Sequence, residues 1–358
     1  MKRLLAAGAA FAAAALPAFA DHEGRTRPAD HAPIGVMADH RHKQGEVMVS
    51  FRYMRMNMEG SRVGTSPISP ETIATTVPNI FFGTPGQPPT LRVVPTRMPM
   101  DMYMGGVMYG LTDRVTLMAM GMYVEREMDH ITFAGGMGTD VLGEFTTNSS
   151  GFGDTTVGAI VGLDDGSSPD FEANLSLSLS IPTGSITETD QVLAPNGMTP
   201  TLRLPYPMQL GSGTFDLKPG ATVRRHFGDI SLGGQLMGVI RLEDNDEGYN
   251  FGNKGEASVW AAYEAAPWVS FSGRLRGETL GRIDGIDPMI VAPVQTANPD
   301  FQGGEQLEAL IGVNLLGTSG VLRGHRLAVE AGFPLVRDLN GPQLESDRTI
   351  TVGWQKAF

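Results

Sequence analysis

Apolar and polar residues alternate with a period of two along most of the chain beyond residue 45. Between 171 and 181, apolar side chains occupy every odd position from Phe171 to Ile181, and the even positions carry Glu, Asn and Ser. Because successive side chains of a β-strand point to opposite faces, this pattern predicts amphipathic strands. We predict twelve of them, at 46–58, 97–110, 114–126, 152–163, 170–181, 214–226, 229–241, 256–265, 268–279, 305–315, 325–333 and 347–358.

The connections between these strands alternate in length. The connections after even-numbered strands are mostly short, whereas those after odd-numbered strands are long and rich in Gly, Pro, Asn and Asp. An even strand number with alternating short turns and long loops is typical of bacterial outer-membrane barrels. Lipid cannot form hydrogen bonds with the backbone groups at an open sheet edge, so such strands must close into a barrel. We predict an all-β fold, a transmembrane antiparallel β-barrel over 45–358, with apolar residues facing lipid and polar residues facing a wet lumen. A soluble exported β-sandwich is the alternative.

The N-terminus predicts export. Lys2 and Arg3 precede an apolar run from Leu4 to Leu16, and Ala18-Phe19-Ala20 fits the cleavage pattern of a secretory signal peptide. We assign 1–20 to the signal, with a short membrane anchor as the alternative. Residues 21–44 form an irregular segment containing histidines, in which Asp-His pairs recur at nine-residue intervals. We expect this segment to be a solvated linker, with capture of Cu(II) or Zn(II) as the alternative.

The last predicted strand is amphipathic and ends on Phe358. A terminal aromatic residue on such a strand resembles the assembly signal of outer-membrane barrels. This resemblance implies the barrel-assembly machinery as a partner and the outer membrane of a Gram-negative bacterium as the location.

Three short motifs resemble the family of outer-membrane proteins named for the MetA-pathway of phenol degradation. They are Ser150-Gly151-Phe152-Gly153-Asp154, Ile181-Pro182-Thr183-Gly184 and Leu210-Gly211-Ser212-Gly213-Thr214-Phe215-Asp216. The resemblance implies a barrel distantly similar to fatty-acid and toluene transporters of the outer membrane, and it carries over no catalytic residues. This chain would be a methionine-rich variant.

Composition narrows the function further. The chain has no Cys, which excludes disulfides and thiolate chemistry. The net charge is -12, and it becomes -14 when Lys2 and Arg3 leave with the signal, so nucleic acid is not an expected partner. The histidines and serines show no recognisable triad spacing, and we expect no enzymatic activity; a barrel hydrolase is the alternative.

Methionines occupy the lumen face of three neighbouring predicted strands. We expect them to share one level near the outer mouth. Thioethers bind Cu(I) and, through the same softness, Ag(I), while methionine also fills irregular gaps against a plug or loop. The candidate metal ligands are Met54, Met56, Met58, Met98, Met100, Met102, Met104, Met118, Met120, Met122, His40 and His42.

The sequence therefore predicts an outer-membrane channel or transporter for a small solute. The solute is an apolar or aromatic compound, or a soft metal ion that passes a methionine-lined lumen. A non-transporting, metal-sequestering outer-membrane protein is the alternative. We expect no required cofactor, membrane lipid as a partner, and Cu(I) or Ag(I) as a candidate ligand.

Overall fold

The computed structural model describes residues 27–164, 168 and 170–358, so the predicted signal peptide lies outside the described residues. In chain order the strands are β1 (Val47–Gly64), β2 (Ser66–Ile68), β3 (Val93–Thr112), β4 (Val115–Phe133), β5 (Val141–Phe152), β6 (Thr155–Gly162), β7 (Phe171–Ile181), β8 (Thr189–Gln191), β9 (Thr201–Arg203), β10 (Asp216–Phe227), β11 (Ile230–Arg241), β12 (Tyr249–Asn250), β13 (Lys254–Ala266), β14 (Val269–Leu280), β15 (Asp284–Gly285), β16 (Gly304–Leu316) and β17 (His325–Ala357). The helices are α1 (Pro70–Thr76) and 3₁₀ turns at Tyr206–Met208, Gln295–Ala297, Pro299–Phe301 and Gly320–Leu322. None of the helices described is long and apolar enough to cross a membrane.

The long strands form a closed antiparallel barrel. Their order is β1, β3, β4, β6, β7, β10, β11, β13, β14, β16 and β17, and β17 pairs back onto β1. Strand β17 contributes two strands, because its first half pairs antiparallel with β16 and its second half pairs antiparallel with β1. The chain must reverse between these halves, and Arg326 accordingly hydrogen-bonds to Gln355 across the reversal. The described part of the chain thus forms the twelve-stranded barrel predicted from the sequence.

The two faces of each strand are as predicted. Leu177 on β7 is 55% exposed on the outward face, whereas its neighbour Ser178 is only 7% exposed on the lumen face. An apolar outward face on a closed barrel is what a lipid environment requires. Ser178 is nonetheless closely packed on the lumen face, because its hydroxyl lies 3.9 Å from the Met118 sulfur.

We call the barrel end with short turns the inner end, and the end with long loops the outer end. Several long loops pack together over the outer end. Val93, Tyr206, Tyr249 and Ile290 are buried in one apolar cluster although they lie on different segments of the chain. Helix α1 contributes Ile73 to a second cluster. The outer end is therefore covered by packed loops.

The barrel wall is interrupted beside the outer half of β4. Strand β5 pairs with β4, and the chain leaves β5 at Phe152 before β6 begins at Thr155. Only β6 continues the ladder to β7. The β7–β10 connection covers this gap, and Asn148 on β5 donates its backbone N–H to Asp190 at 2.8 Å.

Candidate solute and metal sites in the barrel lumen

The three motifs of the sequence meet at the gap in the wall. The Asp154 carboxylate accepts hydrogen bonds from Gly184 N (3.0 Å), Ser212 N (2.8 Å) and Ser212 Oγ (2.8 Å). Gly184 and Gly211 pack so closely that a Cβ on Gly184 would lie 2.7 Å from the Gly211 Cα. The motifs thus fold the β7–β10 connection inward against the barrel wall.

The lumen face of β1, β3 and β4 carries methionines, as predicted. Their register places Met58 opposite Met98, Met56 opposite Met100 and Met54 opposite Met102 on the first two strands. On the next pair, Met104 lies opposite Met122 and Met108 opposite Met118.

The expected single level for these methionines is wrong. Strand β4 begins at the inner end, so Met118 pairs with Met108, while Met100 and Met102 face Arg126 and Val124. The wall therefore carries two groups. The outer methionine group is Met54, Met56, Met58, Met98, Met100, Met102 and Met128. The inner methionine group is Met48, Met104, Met108, Met118 and Met120. Met122 lies between them and approaches Gly153.

The outer methionine group packs against the inward-folded connection. Met98 and Met128 are buried together with Leu204 and Met208, which lie in the β7–β10 connection. This arrangement is the filler role that methionine has in irregular cores. Met208 was absent from the predicted site, because neither strand parity nor a motif marks it. His130, at this outer level, is buried and stacks on Phe145 with ring centroids 4.6 Å apart.

The inner end is occupied by the N-terminal part of the described chain. We call residues 27–46 the lumen segment; it contains turns and no regular element. Arg27 bonds to Gly228 O at the β10–β11 turn, and Gln44 N bonds to Asp113 at the β3–β4 turn. The segment therefore enters and leaves the lumen at the inner end. The expectation of a solvated linker is wrong, because Ile34, Asp39 and His40 are buried.

Wall side chains hydrogen-bond to the backbone of the lumen segment along its length. The contacts are Gly35 N to Glu330 Oε2 (3.0 Å), Arg326 Nη2 to Ala32 O (2.6 Å), Gln235 Nε2 to Met37 O (2.7 Å), Asn174 Nδ2 to Asp39 O (3.2 Å) and His42 N to Thr116 Oγ1 (2.8 Å). Glu330 also forms a buried ion pair with Arg274 at 2.8 Å. Unpaired backbone groups would be costly here, so these bonds explain why an irregular segment is tolerated inside a barrel.

Histidines cluster where the lumen segment turns. The rings of His31 and His40 lie 4.4 Å apart, and those of His40 and His42 lie 5.0 Å apart. Burial lowers the pKa of His31 well below its usual value and also lowers the pKa of His42. Neutral imidazoles are the form that binds metals. Ala38 adopts the left-handed region with φ of 53°, alone among the non-glycine residues described, a costly conformation that often marks a functional position.

A cavity lies against the outer halves of β10, β11, β13, β14 and β16. It measures about 970 Å³, and its lining includes Met237, Glu256, Glu278 and Gln306. These four side chains have the parity of the lumen face, whereas Leu236 and Leu307 of the same lining are exposed on the outward face, so the cavity borders both faces of this part of the wall. Its volume suits a small organic molecule.

No family model matches this sequence, and no curated protein matches it. Among solved structures, the chain is similar to an outer membrane channel from Pseudomonas putida F1, with 15% identity, a TM-score of 0.54, and coverage of 88% of this chain and 97% of that one. The translocator domain of the autotransporter NalP from Neisseria meningitidis has 9% identity, a TM-score of 0.44, and coverage of 88% and 90%. The toluene transporter TodX from Pseudomonas putida has 9% identity, a TM-score of 0.41, and the same coverage. The similarity to the Pseudomonas putida F1 structure shows the fold of this chain. The apolar outward face of this chain's barrel places it in an outer membrane.

Proposed function

We propose that this protein is an outer-membrane channel that passes a small apolar or aromatic solute through a barrel closed at rest. The observation that carries the proposal is the double closure. The lumen segment fills the inner end, and packed loops cover the outer end. A general porin keeps an open aqueous lumen, whereas this arrangement favours a selective, gated one.

The chemistry of the outer lumen favours an apolar solute over an ion. Met98, Met128, Leu204 and Met208 pack into a buried apolar cluster beside the gap in the wall, so the side chains there offer no charge to an ion. The similarity in fold to the outer membrane channel from Pseudomonas putida F1 supports the proposal. A soft metal ion is a second candidate ligand, because the inner methionine group faces a histidine cluster.

Planar-bilayer recording tests the closure directly. The wild-type barrel should show low conductance, and a variant lacking residues 27–44 should show a higher one, because only the packed loops at the outer end then restrict the lumen. Arg27→Ala is the matched control. It removes only contacts at the inner rim, namely Gly228 O at 3.3 Å and Glu264 at 3.7 Å.

Liposome uptake tests the class of solute. A small aromatic alcohol should enter liposomes that contain the wild-type barrel faster than a sugar of similar size. Equal uptake of the two compounds, or a wild-type conductance that the deletion leaves unchanged, would contradict a gated apolar channel. Absence of any flux, with or without the deletion, would favour the non-transporting alternative.

A further inference from the structure

The lumen segment brings together side chains with the chemistry of a metal site. His31, Asp39 and His40 each offer one ligand atom, and these atoms lie within 4.8 Å of one another. They derive from a turn that also places Met37 next to Asp39 and His40. These residues lie within nine positions of each other in the chain. The barrel wall opposite them is formed by β1, β3 and β4.

Buried imidazole nitrogens in this turn lack hydrogen-bond partners. Within the described residues, His31 Nδ1, His40 Nε2 and His42 Nε2 are all buried and unpaired. A buried polar atom without a partner costs free energy, so these three nitrogens are positions at which a bound ligand would be stabilising. On His40 the other nitrogen, Nδ1, lies 2.8 Å from Asp39 Oδ1, and His42 Nδ1 lies 3.3 Å from Glu46 Oε2. A carboxylate on the far side of the ring is the usual support for a metal-binding histidine.

The inner methionine group completes the surroundings of His40. A cavity of about 30 Å³ separates the turn from the wall. It is lined by Met37, Asp39 and His40 from the lumen segment, and by the five methionines of the inner group from the wall. The wall also contributes Arg52, whose guanidinium contacts the Met37 sulfur, so that thioether already has a partner. Such a volume holds a particle of about the size of one water molecule. Thioether sulfur and neutral imidazole together favour a soft ion, Cu(I) above all.

We propose that this cavity is a Cu(I) site, formed by His40 Nε2 and thioethers of the inner methionine group, with His31 as the neighbouring imidazole. The ion joins the lumen segment to the barrel wall, so its binding stabilises the closed inner end. The outer methionine group takes no part. The site is independent of whether the barrel transports a solute.

The test is titration of the full chain in detergent micelles with Cu(I) under reducing conditions, and with Ag(I) as a redox-inert probe. The inner variant carries Met48→Leu, Met108→Leu, Met118→Leu and Met120→Leu. The matched outer variant carries Met54→Leu, Met56→Leu, Met98→Leu and Met100→Leu. Leucine keeps the volume and apolarity of methionine, so both barrels should form, which the migration of unheated protein on a denaturing gel checks.

We expect the Cu(I) affinity to fall in both the inner variant and His40→Gln. Loss of a residue that only supports a ligand costs roughly 10–100-fold in affinity, and loss of the ligands themselves should cost more. The outer variant should bind as the wild type does. X-ray absorption of the loaded wild type should show both sulfur and nitrogen around the ion. Equal affinities for the inner and outer variants would overturn the proposal, and so would binding of Zn(II) in preference to Cu(I), because a site of imidazoles alone would then be present.

A second readout follows the lumen segment itself. Stoichiometric Ag(I) should slow proteolysis of residues 27–46 in the wild type and leave its rate unchanged in the inner variant. Faster or unaltered proteolysis of the loaded wild type would contradict a link between segment and wall.

Discussion

The outer and inner methionine groups lie on the same three strands, but they meet different partners. The outer group faces Leu204 and Met208 of an inward-folded connection, and Met98 and Met128 are buried together with them. The inner group includes Met48 and Met108, which are buried beside Ile160, and it also lines a small cavity that His40 shares. The same side-chain type therefore only fills space in one region, whereas in the other it also borders an unpaired imidazole. The partner across the lumen, rather than the methionine stripe, decides which role is available.

The largest loss of stability is expected when the buried ion pair between Arg274 and Glu330 at the inner end is broken. Glu330→Ala leaves Arg274, which is 4% exposed, without its partner, and removes the acceptor of Gly35 N. Loss of one partner of a buried pair should lower the free energy of unfolding by about 3–5 kcal/mol. Urea unfolding in micelles measures this change. Glu264→Ala is the control, because its pair with Arg27 lies at the inner rim and should be worth only about 0–1 kcal/mol.

Truncation within the outer cluster should cost stability without touching metal affinity. Met128 is fully buried against Leu204 and Met208, so Met128→Ala should lower the free energy of unfolding by about 2–5 kcal/mol. Cu(I) titration of the same variant should match the wild type. A weakened Cu(I) affinity in Met128→Ala would erase the distinction between the two groups.

Substitution by arginine distinguishes a packed part of the lumen from an open one. Ser178→Arg should be strongly destabilising, because Ser178 is packed beside Met118 and the ring of strands leaves no room. Leu177→Arg, on the lipid face, should cost about 2–4 kcal/mol near the midplane. Gln306→Arg, at the cavity of the outer half, should be the mildest of the three. Heat-modified gel migration and urea unfolding rank them; equal costs for Ser178→Arg and Gln306→Arg would show that both halves are equally filled.

The smallest stability effect is expected at the chain end, on the inner rim. Phe358 exchanges backbone hydrogen bonds with Val47, at 2.8 and 3.2 Å, where β17 closes onto β1. Deleting Phe358 should lower the yield of barrel in the outer membrane more than the stability of the barrel that does form, since an interfacial aromatic residue and the predicted assembly signal are lost. Fractionation of cells and urea unfolding compare the two quantities. An unchanged yield would contradict this role.

Much of the barrel follows from local pattern. The alternation at 171–181 predicted β7 to within a residue, because a strand in lipid must present apolar side chains at every second position. Strand ends were less predictable. β1 extends to Gly64, where it pairs with β2 and β17, and β3 begins at Val93, where it pairs with β4. Both ends lie beyond the predicted limits, because the sequence there carries no clear periodicity.

The sequence by itself determined the strands, their faces and the lumen position of the methionines, because each depends on neighbouring residues and on a periodicity of two. Only the tertiary structure decided that β4 meets β3 with Met118 opposite Met108, which separates the two groups. It also decided that Met208 and the lumen segment enter the barrel, and that His40 meets the inner methionine group. These contacts join residues far apart in the chain, and they depend on how irregular segments satisfy backbone hydrogen bonds inside a closed wall, for which composition and periodicity carry no signal.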